Sequence, residues 1–367
     1  MVRALFTATD EVNMSTTPTG PYEALKHARL CVDDLMWTFR AAGGMWREVA
    51  ATQLLLEKAW PRVQFQEFTP SEETEHGADW LWWWVDSDDT CYGILVQAKN
   101  LKIAGAHRYT VDFGYKTKND DRLQISKLIM SADAWKVPAA YMLYCGDTRY
   151  RSRLECDRTH PDGNLCRDRD RAGVAAVSAL VAQTAVGLYG PQSGVAAFHD
   201  AVPVEDIASP DGLDAPIVPL AHGLSGDLER FLRDPQRGSR RVAKEMLRPV
   251  QRIRDGQFAG AAVMGRASQV DGALFQDVPS DLGHFTVPYL AHVLRGLRTE
   301  VPSYVRDVLE GRTPPPWVTE RLGGIVVITD ADAPSLALSA PLSEGTPQGP
   351  LPAYPEDDAS DVPGTAA

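Results

Sequence analysis

Asp79, Gln97 and Lys99 are the residues of this 367-residue chain whose types and spacing fit a chemical task. Residues 77–85 (GADWLWWWV) read as one β-strand, 86–90 (DSDDT) as an acidic turn, and 91–99 (CYGILVQAK) as the return strand. A turn symmetric about Asp88 sets Asp79 opposite Gln97, side chains on one face and Cβ atoms roughly 5 Å apart. Lys99 follows two residues later, so the strand period of two puts it on the same face. A carboxylate, an amide oxygen and an ammonium at one point fit the hydrolysis of a phosphodiester. That reaction needs an activated water, stabilisation of charge on the phosphate and help for the departing oxygen, and a bound divalent ion serves all three. Mg²⁺, with Mn²⁺ as an alternative, takes hard oxygen ligands and often only one or two carboxylates from a protein. Asp79 is the natural first ligand. The Gln97 amide oxygen and the Ala98 main-chain carbonyl are further ones, while Lys99 would hold the attacking water and offset transition-state charge.

A second carboxylate is expected from the helix that precedes the hairpin. Glu48 and Glu57 are nine residues apart and point to different faces of it. Glu48 shares a face with Thr52 and Leu55, which turns it inward; Glu57 sits beside Lys58 and reads as a solvated residue. Glu48 is therefore the preferred ligand. Gln124, near the start of a later helix, is a candidate for contact with the site or substrate, with a surface amide as the alternative reading. His76, just before the GAD triplet, reads as a turn residue.

The elements that position these residues follow from periodicity. Tyr22–Arg40 reads as a helix, Ala41–Gly44 as a break, and Met45–Trp60 as a second helix stopped by Pro61. Val63–Phe68 alternates like a strand, and the hairpin follows. Lys116–Asp121 reads as a polar loop, Asp121–Lys136 as a helix, and Ala139–Cys145 as a buried strand. Beyond these come an Arg/Asp-rich loop (147–171), an Ala-rich helix, and a basic helical segment near 228–253. Further helices are expected at 286–297 and 302–309, then a strand at 324–329 (GIVVIT).

This order of helix, three strands, helix and strand resembles the PD-(D/E)XK restriction-endonuclease-like superfamily: Glu on the helix, Asp opening the second strand, Gln-x-Lys in the third. The Gln-Ala-Lys string is similar to Mrr-type catalytic domains, in which Gln replaces the usual acid. GADW, QAK, Tyr109 and a Gln-bearing helix also resemble a bacterial family of uncharacterised nuclease-like proteins. The resemblance spans roughly residues 45–145. It implies an α/β fold whose restriction-endonuclease-like core has a mixed central sheet, with a largely helical C-terminal extension. It also implies catalytic roles for Asp79, Gln97, Lys99 and Glu48, a substrate contact for Gln124, and a metal held by Asp79, Glu48, Gln97 and Ala98. The departure from the common pattern is Gln97, which carries one negative charge fewer and lowers the expected metal affinity.

The expected domains are a loose N-terminus (1–20), a nuclease-like core (21–150), a mainly helical extension closing with a strand (151–330) and an acidic, Pro-rich, disordered tail (331–367). The net charge of −12 opposes a nucleic-acid partner, yet seven of the acids fall after Thr329, where there is no Lys or Arg. Lys99–Lys127 holds seven basic residues against three acidic, and Glu229–Arg254 nine against three. Trp80, Trp82, Trp83 and Trp84 read as packing of a buried hairpin, with base stacking as the alternative. Five cysteines without a secretory signal fit free thiols in a cytoplasmic protein. Cys156, His160 and Cys166 fall close together but match no closed zinc motif. Ala172–Gly190, uncharged throughout, reads as a buried helix rather than a membrane span. The expected function is a metal-dependent endonuclease acting on DNA, with RNA as an alternative substrate, in bacterial defence, with a homodimer as one expected assembly. The alternative is a nuclease-fold protein that binds nucleic acid or assembles without efficient catalysis.

Overall fold

The computed structural model describes residues 18–68, 80–103, 108–114, 122–156, 166–190, 194–208, 215–257, 265–267 and 270–329. The chain divides into a unit at 1–334 and one at 335–367, and everything below concerns the first. Asp79, His76, His160, the loop at 116–121 and the tail at 331–367 lie outside the described residues.

In chain order the helices are α1 (Pro21–Ala41), α2 (Glu48–Ala59), α3 (Gln124–Trp135), α4 (Thr148–Arg151), α5 (Arg167–Asp170), α6 (Ala179–Tyr189), α7 (Gly226–Arg233), α8 (Gly238–Gly256), α9 (Tyr289–Leu294), α10 (Ser303–Leu309) and α11 (Pro316–Thr319). The strands are β1 (Val63–Glu67), β2 (Trp80–Val85), β3 (Cys91–Asn100), β4 (Lys102–Ile103), β5 (Tyr109–Thr110), β6 (Ala139–Tyr144), β7 (Val174–Ser178), β8 (Val202–Pro203), β9 (Arg266–Ala267), β10 (Val278–Pro279), β11 (Leu297–Arg298) and β12 (Gly324–Thr329). The fold is mixed α/β around a mixed central sheet in the order β1-β12-β2-β3-β6-β7-β8, with β11 also pairing to β3.

The β2–β3 hairpin is the centre of the molecule. Trp80 pairs with Val96 and Val85 with Cys91, the register that a turn centred on Asp88 dictates. The turn is closed by Asp86 N–H to the Thr90 carbonyl (2.9 Å) and by Thr90 N–H to Asp88 Oδ1 (3.0 Å). Every residue of β2 is buried. Each indole removes about 150–250 Å² from water, worth roughly 4–6 kcal/mol before entropy is counted. Trp82 (1% exposed) and Trp83 (0%) therefore serve the core and cannot stack on bases. Gly93 leaves room for the indole of its cross-strand partner: a Cβ there would lie 2.6 Å from the Trp83 ring.

β3 runs antiparallel to β2 and parallel to β6. Between β1 and β2 the chain does not form a simple meander, because β12 inserts there, antiparallel to β1 and parallel to β2. GIVVIT is apolar along almost its whole length and needs cover on both faces, which only a central position provides. The segment after residue 150 is thus woven into the sheet and is not a helical layer added beside it.

Two other expectations are corrected. Ala172–Gly190 is not one helix: Val174–Ser178 is a buried strand antiparallel to β6, and α6 begins only at Ala179. Ser178 marks the switch, its Oγ accepting from Leu180 N–H (3.3 Å) as an N-cap. The basic segment at 228–253 is two helices, α7 and α8, divided at Asp234–Arg237. The helices over 22–40, 45–60 and 121–136 and the strands at 63–68, 139–145 and 324–329 fall where periodicity sets them, to within a few residues at their ends.

Candidate functional site

The carboxyl ends of the parallel pair β3 and β6 open into a cleft of about 140 Å³, lined by Glu48, Lys99, Asn100, Lys102, Asp112 and Gln124. In open α/β sheets, crevices beyond the carboxyl ends of parallel strands are the preferred place for ligands.

The two faces of the sheet deliver different groups to it. Thr52 on α2 shares a hydrogen bond with the Tyr144 hydroxyl (2.8 Å), and Tyr144 pairs with Asn100 in the sheet, so α2 lies on the face to which Asn100 points. Buried Ala51, Thr52, Leu55, Leu56 and Ala59 fix that face of α2. Glu48 precedes Thr52 by one turn and stands in the first turn of α2, where a carboxylate also complements the unpaired helix amides. The opposite face carries α3. Its first residue, Gln124, accepts at Oε1 from Lys99 Nζ (2.5 Å), and its Ile125, Leu128, Ile129 and Ala132 are buried. Phe113 stacks on Tyr141 at 4.5 Å, and Tyr141 pairs with Gln97. Gln97 and Lys99 therefore share the α3 face, as the period of two requires.

Gln97 is 3% exposed, and its Oε1 is buried with no hydrogen-bond partner among the described residues; Asn100 Oδ1 is in the same condition. A buried orphan oxygen costs about 1–3 kcal/mol, and these two, on opposite faces of β3, are acceptors that a water or a bound group can satisfy. The β6 ladder is carried by odd-numbered residues of β3: Leu95 N–H donates to the Pro138 carbonyl and Leu101 N–H to that of Tyr144, both at 2.9 Å. The main-chain groups of Ala98 consequently face the β2 side.

Of the residues proposed from sequence, the cleft brings together Glu48, Lys99 and Gln124, with Gln97 buried two residues before Lys99. Asp79 is outside the described residues. Glu57 is exposed and pairs with Lys58 (2.8 Å), away from the cleft. Cys156 and Cys166 approach to 3.7 Å between sulfurs, and all five cysteines are free thiols. Among the described residues no three of His, Cys, Asp or Glu cluster closely enough to hold a metal by themselves. The oxygen set here, two carboxylates and two orphan amides, is nonetheless of the hard type that Mg²⁺ accepts.

Asp112, Asn100 and Lys102 were missed by sequence reasoning. The signal for Asp112 was the alternation of Tyr109-Thr110-Val111-Asp112-Phe113: Val111 and Phe113 are buried, so Asp112 turns away from the core. Its Oδ1 accepts from Gly114 N–H (3.0 Å), and the segment is tied to β4 by the pairs Lys102–Thr110 and Ile103–Tyr109. Beside it, Asp147 holds the flank. It accepts from the Tyr150 amide (2.8 Å) and the Tyr109 hydroxyl (3.4 Å), and pairs with Arg40 (2.5 Å). Burial pushes its carboxyl up, but the Tyr150 amide and Arg40 outweigh that and hold it below the usual range. Burial raises the Tyr109 phenol, and the Asp147 charge adds to the rise.

Fold and cleft together define a mixed α/β protein with a polar, lysine-bearing site at the end of a parallel strand pair. By sequence the chain belongs to DUF6615, a family of unknown function, which it matches over residues 26–334, from within α1 to beyond β12. No curated protein and no solved structure matches it. No helix among the described residues is long and apolar enough to cross a membrane.

Proposed function

We propose that the chain is a metal-dependent endonuclease of the PD-(D/E)XK type acting on DNA. The observation that carries this reading is the convergence of Glu48, Lys99 and Gln124, from three separate elements, on one cleft beside the buried amide of Gln97. The hairpin register supports it, since the six described pairs follow the alignment that sets position 79 against 97.

In this reading Glu48, Asp79, the Gln97 amide oxygen and the Ala98 carbonyl would hold Mg²⁺ or Mn²⁺, and Asp112 would add a carboxylate at the rim. Such an ion supplies Lewis-acid stabilisation of the phosphate when bound. The chain's own groups do the rest. Lys99, oriented by Gln124 Oε1, places its ammonium against the phosphate oxygens and offsets charge as it develops. The carboxylates orient water for attack, and the buried walls of β3 and α3 exclude bulk solvent from one side. Defence against foreign DNA in a bacterial cytoplasm is the setting that fits such an activity.

The test is a cleavage panel of DNA and RNA with Mg²⁺ and Mn²⁺, comparing the protein with Asp79→Ala and Lys99→Ala. Metal-dependent cutting that both variants lose is the expected result. Equal rates in all three sink the proposal, and metal-independent binding without cutting would favour a binding or assembly module instead.

A further inference from the structure

A chain of contacts runs from the rim of the cleft along its flank and carries an excess of positive charge. Arg47 is the N-cap of α2, next to Glu48. Across the cleft, Lys102 pairs with Thr110, whose neighbour Tyr109 lies under the Arg153 guanidinium, 5.4 Å from the ring centre. Tyr109 and Arg40 both reach Asp147, the N-cap of α4, which carries Arg149. The contacts extend to Gly146, where an added Cβ would lie 3.5 Å from the Trp46 indole nitrogen, and Trp46 adjoins Arg47. Arg47, Lys102, Arg149 and Arg153 are exposed and have no carboxylate partner among the described residues. The exposed arginines of α7 differ: Arg230 pairs with Asp227 and Arg233 with Glu229. In a chain of net charge −12, four exposed cations without a carboxylate partner beside one polar cleft give that cleft a local attraction for polyanions.

We infer that these cations grip the phosphate backbone of a polynucleotide and lay it across the cleft, with Arg47 and Lys102 at its rim and Arg149 and Arg153 along the flank that Tyr109 and Asp147 build. Four cations spread over the start of α2, β4 and the α4 segment suit several phosphates of a polymer, not a single small anion. The inference rests on the nuclease reading only for the identity of the polymer, and it is tested without any divalent ion.

The experiment is fluorescence anisotropy of the full chain with fluorescein-labelled single-stranded DNA, RNA and duplex DNA in chelator, across a salt series. Four phosphate contacts give a slope of log K against log salt of about −3 to −4. Arg149→Glu/Arg153→Glu is expected to weaken binding at least about tenfold and to flatten the slope by about 2. Arg230→Glu/Arg233→Glu should leave both unchanged. Arg47→Gln/Lys102→Gln, on different elements, repeats the test should the first variant fail to fold. Salt-insensitive binding, equal binding by the variants at these four cations, or equal loss in the α7 variant overturns the inference. So does binding of phosphatidylserine vesicles that is tighter than that of any oligonucleotide and lost in the same four-cation variants. Binding that depends on these cations, without Lys99-dependent cleavage, would leave the inference standing and remove the nuclease reading; the opposite pair of results would do the reverse.

Discussion

The two ends of the central sheet each carry a cavity beyond the carboxyl ends of a parallel pair, and they differ in kind. At the ends of β2 and β12 the cavity measures about 600 Å³ and has a mixed lining, Trp84, Val85, Val242 and Ile328 standing beside Glu23, Asp86, Ser239 and Arg241. Its acids are already engaged. Asp86 accepts from the Ser239 amide (2.8 Å) and hydroxyl (2.6 Å) at the start of α8, and Glu23 pairs with Lys26 (3.4 Å). The cleft beyond β3 and β6 is about a quarter of that volume, yet all six of its lining residues are polar and two buried amide oxygens beside it are unanswered. Both ends hold a buried group without a hydrogen-bond partner among the described residues, an indole donor (Trp84 Nε1) at the large cavity and acceptor oxygens at the small cleft, and only the acceptors suit a cation. The small cleft is the better candidate for chemistry, and the large cavity is where sheet and helices are fastened together.

That contrast can be broken by substitution. The largest effect is expected at the small cleft: Glu48→Gln should lower metal-dependent cleavage about 10²–10³-fold with the melting temperature near that of the parent. A rate within twofold of the parent would remove Glu48 from the site. At the large cavity, Asp86→Ala removes the cap of α8 and should cost about 1–2 kcal/mol of stability in denaturant melts, with cleavage unchanged at permissive temperature. A loss of activity without loss of stability would reverse the assignment of the two ends.

A third test separates framework from site by pH. His292 is fully buried, its Nε2 accepting from the Ala139 amide (3.3 Å) at the start of β6, and burial holds its pKa well below the ordinary 6.5. Arg295 beside it pushes the same way. The unfolded chain takes up this proton below pH 6.5 while the folded chain does not, so the contribution is complete above that pH and is lost as pH falls. Melting temperature should decline from pH 7 to 5 by an amount that His292→Gln reduces; parallel pH profiles would rule the residue out. The smallest effect is expected from Gln97→Glu, which adds a charge where an acid is usual and should tighten Mn²⁺ binding several-fold in titration calorimetry. Weaker binding would mean that position 97 does not face the ion.

Local order was legible and long-range order was not. The hairpin register could be read because a symmetric acidic turn separates two apolar strands whose faces cannot be exchanged without exposing tryptophan. Glu48 was legible because its helix face is shared with Thr52 and Leu55. By contrast, β7 hides in an Ala-rich run that has no polar residue to break helical periodicity until Ser178. Asp112 escaped because the ladder just before it, Lys102–Thr110 and Ile103–Tyr109, is two residues long and too short to leave a pattern. The placement of β12 follows from burial on both faces, and no local spacing encodes which strands it will part.

The central seat of β12 also sets an order of events in synthesis. β1 and β2 are made more than two hundred residues before the strand that joins them, so until Thr329 has emerged each waits with an open edge. A chain stopped short of Gly324 would leave those edges, and four tryptophans, without their central partner. Such a fragment is expected to aggregate rather than to fold as a smaller domain. β12 therefore acts as a latch, and a cell holding this protein has no closed central sheet, and no assembled cleft, until that strand has been made.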